Sequence, residues 1–82
     1  MIRYKIRNLM KLYNKSNSDM AKILGIHYNA FNNKIHRDSF SPKDLILIGK
    51  ETGTRLAFID KDNKPIIIFD ETDIQEYQKN KD

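Results

Sequence analysis

Apolar residues recur at helical spacing through the first fifty residues and in short extended runs after Thr54. The first helical stripe consists of Ile2, Ile6, Leu9, Met10 and Tyr13. A stripe of this kind predicts a helix that buries one face, so we expect the cations outside it to be solvated. These cations are Arg3, Lys5, Arg7 and Lys11. The polar residues 14–17 predict a turn after the helix.

The stretch from Ser16 to His36 predicts two short helices joined by a tight turn. We expect Ser18 to cap the first helix, because a serine oxygen there accepts backbone N–H groups that have no partner within the helix. Gly25 is expected to end that helix, because glycine adopts the left-handed conformation of a sharp stop at little cost. The second helix is expected from about His27 to Ile35.

The two sides of this second helix differ in chemistry. Its buried side is expected to hold Ala30, Phe31 and Ile35. The opposite side carries no acid and consists of Tyr28, Asn29, Asn32 and Asn33. An asparagine side chain can form two hydrogen bonds with the N6 and N7 edge of adenine in the DNA major groove. The outer side therefore favours a nucleic-acid surface over the alternative of an ordinary polar face on a small helical domain.

A further helix is predicted from Ser41 to about Thr52. Its first residues are Ser41, Pro42, Lys43 and Asp44. The serine suits the cap, the proline suits the first helical position, and the acid can reach back to the cap. Gly53 is placed to stop the helix. We expect its buried face to hold Leu45, Ile48 and Gly49, which leaves Ile46 and Leu47 to pack under the following segment or against another subunit.

Two apolar runs of strand length, residues 55–59 and 66–69, follow this helix. Residues 60–65 between them contain Asp, Asn and Pro, which favour a turn, so the sequence predicts a β-hairpin. The hairpin is apolar on both faces, and a lone two-stranded ribbon also leaves hydrogen-bonding edges open. It needs cover, either from a second copy of the chain or from Ile46, Leu47 and the acidic tail of the same chain.

Length, charge and cysteine content narrow the class of protein. The 82 residues make one small domain with no room for a large catalytic cleft, and a chain of this size often depends on a partner subunit. The absence of cysteine fits a reducing cytoplasm, and the N-terminus shows neither a signal peptide nor a membrane span. Residues 1–50 hold ten Lys and Arg against three acids, a net charge of +7, whereas residues 51–82 carry a net charge of −3. Clustered cations favour a polyanion.

The helical pair also resembles a known family. Ala21 is followed four residues later by Gly25 and then by the apolar residues Ile26 and Phe31. This spacing resembles the helix-turn-helix of the Cro/CI-type, phage repressor-like DNA-binding family. The resemblance covers roughly residues 2–53. It implies a soluble DNA-binding regulator of the phage, plasmid or mobile-element kind.

The resemblance implies which side chains meet DNA. Base edges would be met by Tyr28, Asn29 and Asn33. Backbone contacts, which fix register without reading sequence, would come from Asn17, His27, Asn32, Lys34, His36, Arg37 and Lys43. The alternative role for Asn17 is to support its neighbours, and the main role expected of His27 is local. His27 stands at the usual cap of the recognition helix, Tyr28 stands where relatives often carry an amide, and Lys34 stands where they commonly carry a buried aliphatic residue. Ile35 is expected to take over that buried position.

Together these patterns predict a mainly α fold: a compact four-helix repressor-like helix-turn-helix domain followed by a C-terminal β-hairpin. Residues 1–53 are expected to form the DNA-binding domain, residues 54–70 a hairpin that dimerises it, and residues 71–82 an acidic and polar tail with Ile74 and Tyr77 at helical spacing. Dimerisation would place two recognition helices about one helical turn of DNA apart, roughly 34 Å. The residues expected at the dimer interface are Ile46, Leu47, Ala57, Ile59, Ile67 and Phe69.

Other classes of function find little support. His27 and His36 are nine residues apart, with no acid placed to orient either imidazole and no glycine-rich phosphate loop. We therefore expect no enzyme activity, cofactor, metal or small-molecule substrate. The alternative to a DNA-binding regulator is a protein-interaction module, such as an antitoxin or an antirepressor, that holds its partner with the apolar hairpin.

Overall fold

The computed structural model describes residues 1–74, which form four helices followed by a two-stranded antiparallel sheet. The elements are α1 (Ile2–Leu12), α2 (Asn17–Leu24), α3 (Tyr28–Arg37), α4 (Pro42–Thr52), β1 (Leu56–Ile59) and β2 (Pro65–Phe69). Residues 71–74 add a helical turn after β2. This architecture confirms the predicted fold class. The rest of the predicted tail, with Tyr77, lies outside the described residues.

The start of α2 differs from the prediction. Its cap is Ser16, whose hydroxyl accepts the N–H of Asp19 over 3.1 Å, while the Asp19 carboxylate accepts the N–H of Ser16 over 2.8 Å. The predicted cap at Ser18 is wrong, because that residue lies inside the first turn of the helix. Ser18 is followed three positions later by Ala21, whose methyl group cannot accept a hydrogen bond to close a reciprocal pair, whereas Ser16 is followed by Asp19.

The ends of α2 and α4 follow the sequence. Gly25 has φ 67° and ψ 33°, and the N–H of Ile26 bonds to the carbonyl of Ala21 over 3.0 Å. Ser41 and Asp44 form the predicted capping box of α4, with Pro42 at its first position. Local chemistry therefore decides these boundaries. Helix α3 begins one residue after its cap, His27, and runs two residues past the predicted end to Arg37.

The core lies where the first four helices meet. Phe31, Met20 and Ile48 are almost fully buried there. Phe40 covers the cluster, with its ring edge-on to that of Phe31 at a centroid distance of 6.2 Å. The other buried apolar residues of the cluster are Ile6, Met10, Ala21 and Ile35. Burial of Ile35 confirms that it takes the inward position at the end of α3.

The backbone that leads from α4 into the hairpin packs closely against the end of that helix. The N–H of Thr54 bonds to the carbonyl of Gly49 over 2.8 Å, and a Cβ on Gly49 would lie only 3.0 Å from the carbonyl oxygen of Thr54. Gly49 thus lets the chain fold back onto the helix. In the turn, the Asp60 carboxylate accepts the N–H groups of Asp62 and Lys64.

The strand register assigns the apolar residues of the ribbon to its two faces. Leu56 pairs with Phe69, Ala57 with Ile68 and Phe58 with Ile67, and the pairing shifts between Phe58 and Ile59. Because paired residues share a face and successive residues alternate, Ala57 lies on the face opposite to Ile67 and Phe69. The residues predicted as one dimer interface are therefore divided between two faces.

One of the predicted interface residues, Ile46, is largely covered by its own chain. Ile46 is only 7 % exposed and is buried within its own chain, where it lines a groove with Pro42, Phe69 and Ile74. Of the two places expected for Ile46, under the following segment or against another subunit, the structure shows the first, because the base of the hairpin packs beside α4 and covers it. Leu47 is half-buried. None of the described helices is long and apolar enough to cross a membrane.

Candidate nucleic-acid interface

The outer side of α3 presents its polar residues to solvent. Tyr28, Asn29 and Asn33, the residues expected to meet base edges, are all exposed, Tyr28 by 47 %. Their neighbours Phe31 and Ile35 are buried and fix the rotation of the helix. Since α3 contains no acid, nothing on this helix repels phosphate. The arrangement suits a helix that enters the major groove of DNA.

A hydrogen bond between two amides joins α3 to the start of α2. Asn17 Nδ2 donates to Asn32 Oδ1 over 2.9 Å, and both residues are half-buried. Both were expected to contact the DNA backbone. The bond occupies the carbonyl oxygen of Asn32, so the NH₂ group of that side chain is left to donate to an acceptor such as a phosphate oxygen.

His27 acts locally at the start of α3. Its Nδ1 accepts the N–H of Asn29 over 3.2 Å, so the ring replaces the serine or threonine oxygen that usually caps a helix. With Nδ1 as the acceptor, a neutral ring carries its proton on Nε2. The side chain is exposed, which leaves the Nε2–H free to donate to a phosphate while the cap is kept.

The cations predicted to contact phosphate fall into two groups. Lys34 is half-buried, and its ammonium group lies 2.8 Å from the Asp44 carboxylate, so it joins α3 to the first turn of α4. In contrast, His36, Arg37 and Lys43 are exposed. Within residues 1–74 these three cationic or ionisable side chains can reach a polyanion without breaking an internal bond, whereas Lys34 would have to leave its partner.

All three carboxylates of the first fifty residues are used at helix starts. Asp19 and Asp44 complete capping boxes, and Asp38 accepts the N–H groups of Ile2 (3.4 Å) and Arg3 (2.6 Å) at the start of α1. The backbone N–H and the hydroxyl of Ser16 hold the pKa of Asp19 below its usual value. Each acid thus lies against partial positive charge at a helix N-terminus, which offsets its repulsion of a polyanion.

The role of Asp38 was not predicted from the sequence. It ends α3 in a left-handed conformation, with φ 56° and ψ 39°, and its side chain reaches 35 residues back along the chain. Arg3 returns a second bond, from its guanidinium to the carbonyl of His36 over 2.8 Å. An Asp after a helix is a weak signal by itself. Only the absence of any acid in the first turn of α1 hinted that the cap comes from elsewhere.

The predicted dimer residues of the hairpin lie at its surface. Ile59 is 57 % exposed and Ile67 is 52 % exposed, while Ala57 and Phe69 are half-buried. Phe58, Ile66 and Ile68, which were not assigned to the interface, are also exposed. The Phe58 and Phe69 rings lie edge-on at 5.8 Å and share a face. The ribbon thus exposes apolar side chains on both of its faces, and exposed apolar side chains that cluster in this way mark an interaction site.

Comparison with protein families gives one match that covers most of the chain. The profile of the bacteriophage CI repressor helix-turn-helix domain matches residues 5–65, from α1 to the first residue of β2. Comparison with curated proteins and with solved structures yields no significant match. The matched range contains all the residues that are placed here on the candidate interface.

Proposed function

The chain belongs to the bacteriophage CI repressor helix-turn-helix family, and on that premise we propose that it is a sequence-specific regulator of transcription that binds double-stranded DNA as a dimer. It belongs to a phage, plasmid or other mobile element and works in the cytoplasm, where it blocks polymerase by occupying its operator. The observation that supports this most directly is the exposed, acid-free row of Tyr28, Asn29 and Asn33 on α3.

Base recognition in this proposal rests on the two asparagines. Asn29 and Asn33 are one helical turn apart on the exposed side of α3. Each side chain has a donor and an acceptor, which matches the N6 and N7 edge of adenine. Tyr28 lies at the start of the same helix, where its ring can contact a thymine methyl group or its hydroxyl can bond to a phosphate.

Backbone contacts surround this row. One group lies at the start of α2 and in the first half of α3 and consists of Asn17, His27 and Asn32. The other group lies at the end of α3 and the start of α4 and consists of His36, Arg37 and Lys43. They fix the register of α3 on the duplex by bonding to phosphate oxygens. Lys34 contributes differently, because its ion pair with Asp44 holds α3 against α4.

The dimer is proposed to form through the hairpin. Leu56 and Phe69 line grooves against the helices of their own chain. The face of the ribbon that carries these two residues is therefore directed toward the helices at the base of the hairpin. Ala57 and Ile68 lie on the opposite face, and Ile68 is exposed. Because an isolated pair of strands is only marginally stable, this exposed face needs a partner, and the simplest partner is the same face of a second copy of the chain. A two-fold symmetric dimer of this kind presents both α3 helices to one DNA duplex.

Selection of bound duplexes from a random pool, with the mass of the complex measured in solution, tests the proposal. We expect an enriched inverted repeat bound by two chains. Asn33→Ala should change the selected bases, whereas Lys43→Ala should weaken binding to all sequences about equally. Ile68→Asp should give monomers that bind one half-site weakly, while Leu12→Asp, on an exposed residue of α1, should leave the dimer intact. Failure to enrich any sequence contradicts specific DNA binding.

The exposed ribbon also favours a second candidate, a protein-interaction module such as an antitoxin or antirepressor. In that case the partner covers the hairpin and α3 binds nothing. The two candidates respond differently to salt, because binding to duplex DNA weakens steeply as salt is added and binding between apolar surfaces does not. A heterologous complex that persists in high salt and is lost with Ile68→Asp but not with Asn33→Ala identifies the second candidate.

A further inference from the structure

Cations recur at every fourth residue along α1 and into the turn that follows it. The series is Arg3, Arg7, Lys11 and Lys15. The first member bonds to the end of α3 through the carbonyl of His36. The other three line the surface between α1 and the start of α2. Because residues four apart lie on the same side of a helix, Arg7 and Lys11 are neighbours on its surface.

These three cations line a groove between α1 and the start of α2, here called the α1–α2 groove. Its lining residues are Arg7, Met10, Lys11, Asn14, Lys15 and Asn17, and its volume is about 350 Å³. The lining thus combines three positive charges with two amides and contains no carboxylate. Arg7, Lys11 and Asn14 are exposed, and Lys15 and Asn17 are half-buried.

The charges of the groove are not neutralised within the described chain. Among residues 1–74 the ion pairs are Lys34–Asp44 and Lys50–Glu71, and neither involves a groove residue. Like charges four residues apart repel each other, so the row destabilises the free helix. Lys15 helps to lower the pKa of Asp19, but the carboxylate of Asp19 accepts the N–H of Ser16 and forms no ion pair with Lys15 among residues 1–74. A ligand with several negative charges would relieve this repulsion.

The groove continues directly into the surface that carries α3. Asn17 lines the groove and also donates the hydrogen bond to Asn32 on α3. An anion in the α1–α2 groove would therefore lie beside the Asn17–Asn32 hydrogen bond, which ends on the helix that carries Asn29 and Asn33. A chain of regularly spaced anions can occupy the groove and extend toward α3, and the phosphodiester backbone of the DNA that α3 is proposed to bind is such a chain.

We propose that the α1–α2 groove binds phosphates of the DNA backbone that flank the bases met by α3. The proposal rests on the proposed function, because it assumes that α3 binds duplex DNA. It assigns Arg7, Lys11 and Lys15 a role in binding, in contrast to the sequence-based expectation that the cations of α1 are solvated. Their contribution is independent of base sequence and sensitive to salt.

The test compares two double variants that remove the same charge. Arg7→Gln/Lys11→Gln changes the groove, and Lys61→Gln/Lys64→Gln changes two exposed cations of the hairpin turn. The probe is a duplex selected by the wild-type protein, and its affinity is measured between 50 and 200 mM salt. The loss of two phosphate contacts should make the slope of log affinity against log salt less negative by about 1.8. Between the two salt concentrations, the affinity of the groove variant should therefore fall by a factor about ten times smaller than the factor for the wild type.

Three further readouts separate binding from folding. The thermal midpoint of the groove variant without DNA should stay near that of the wild type, because relief of repulsion offsets the loss of Lys11 at the helix C-terminus. Ethylation of phosphates beside the half-site should impair binding of the wild type and have no further effect on the groove variant. Arg7→Lys/Lys11→Arg should keep the wild-type salt dependence, since it keeps both charges.

The outcomes distinguish this proposal from the one on which it rests. If the groove variant and the hairpin-turn variant show the same affinity and the same salt dependence, the groove does not bind DNA, while sequence-specific binding by α3 still stands. If the wild-type protein selects no duplex at all, both proposals fail. A groove variant with a flatter salt dependence, a normal thermal midpoint and unchanged base preference supports the groove as a site for the DNA backbone.

Discussion

The amide of Asn17 donates a hydrogen bond to the amide oxygen of Asn32 over 2.9 Å and so connects the first turn of α2 with the middle of α3. The two residues are 15 positions apart in the chain. Because the bond fixes the orientation of the Asn32 amide, its NH₂ group is held ready to donate before any DNA arrives. A side chain fixed in advance loses less conformational entropy on binding.

We predict that Asn17 and Asn32 act as a unit in DNA binding. Asn17→Ala should weaken binding by several-fold, and the effect should largely disappear in an Asn32→Ala background, with a coupling free energy of about 1 kcal/mol. The affinities of both single variants and the double variant for one selected duplex measure this coupling. Ser18→Ala, an exposed change in the same turn, serves as the control. Additive effects would show that the two amides contact DNA independently.

We predict that Lys34 contributes mainly to the stability of the fold and Lys43 mainly to DNA binding. Lys34→Met breaks the 2.8 Å ion pair with the buried Asp44 and should lower the free energy of unfolding by about 1–2 kcal/mol, with little change in the salt dependence of DNA binding. Lys43→Met removes an exposed cation and should leave stability within about 0.5 kcal/mol while it flattens the salt dependence. Urea unfolding and salt titration check both. The reverse pattern would make Lys34 the phosphate contact.

Asp38 is predicted to stabilise α1 from the far end of α3. Asp38→Gly keeps the left-handed backbone but removes the carboxylate that accepts the N–H groups of Ile2 and Arg3, and should lower the free energy of unfolding by about 1 kcal/mol. Asp38→Asn keeps both an acceptor and a residue that tolerates this conformation, so it should lose much less. Urea unfolding measures both variants. Equal losses would mean that the carbonyl acceptor does not cap α1.

The capping box of α2 predicts a loss of stability in acid. Hydrogen bonds from the Ser16 N–H and hydroxyl lower the pKa of Asp19 in the folded chain. The contribution of this carboxylate is therefore complete above its ordinary pKa of 3.8 and is lost as the pH falls through the lower, folded value. NMR titration of the carboxyl carbon should show a lowered pKa in the wild type.

The variant Ser16→Ala provides the matched comparison for that titration. It removes the hydroxyl and leaves the backbone N–H, so the pKa of Asp19 should move part of the way back toward its ordinary value. Ser18→Ala, whose hydroxyl does not cap the helix, should leave the titration unchanged. If Ser18→Ala shifted the pKa and Ser16→Ala did not, the capping assignment would be reversed.

Much of the fold was predictable because its signals are local. The cap of α4, the glycines that end α2 and α4, and the turn of the hairpin each depend on residues a few positions apart. The one cap that was predicted wrongly, Ser18 in place of Ser16, was an error of two positions. It arose because the hydroxyl of either serine can accept a backbone N–H. Only Asp19, which forms the reciprocal hydrogen bond with Ser16, distinguishes the two candidate caps.

The candidate site was predictable in part. The outward position of Asn29 and Asn33 follows from the helical period once Phe31 and Ile35 are placed in the core. The roles of the charged residues did not follow. Lys34 was grouped with exposed cations, because a sequence does not show which cation lies near an acid on another helix.

The sequence by itself determined the elements of this protein, their ends and the polar side of α3, because short-range hydrogen bonds, glycine conformation and the helical period act between neighbours in the chain. Only the tertiary structure decided that Asp38 caps α1, that Lys34 pairs with Asp44 and that Ile46 is covered by its own hairpin. These contacts join residues that are distant in the chain, so they exist only after the helices have packed.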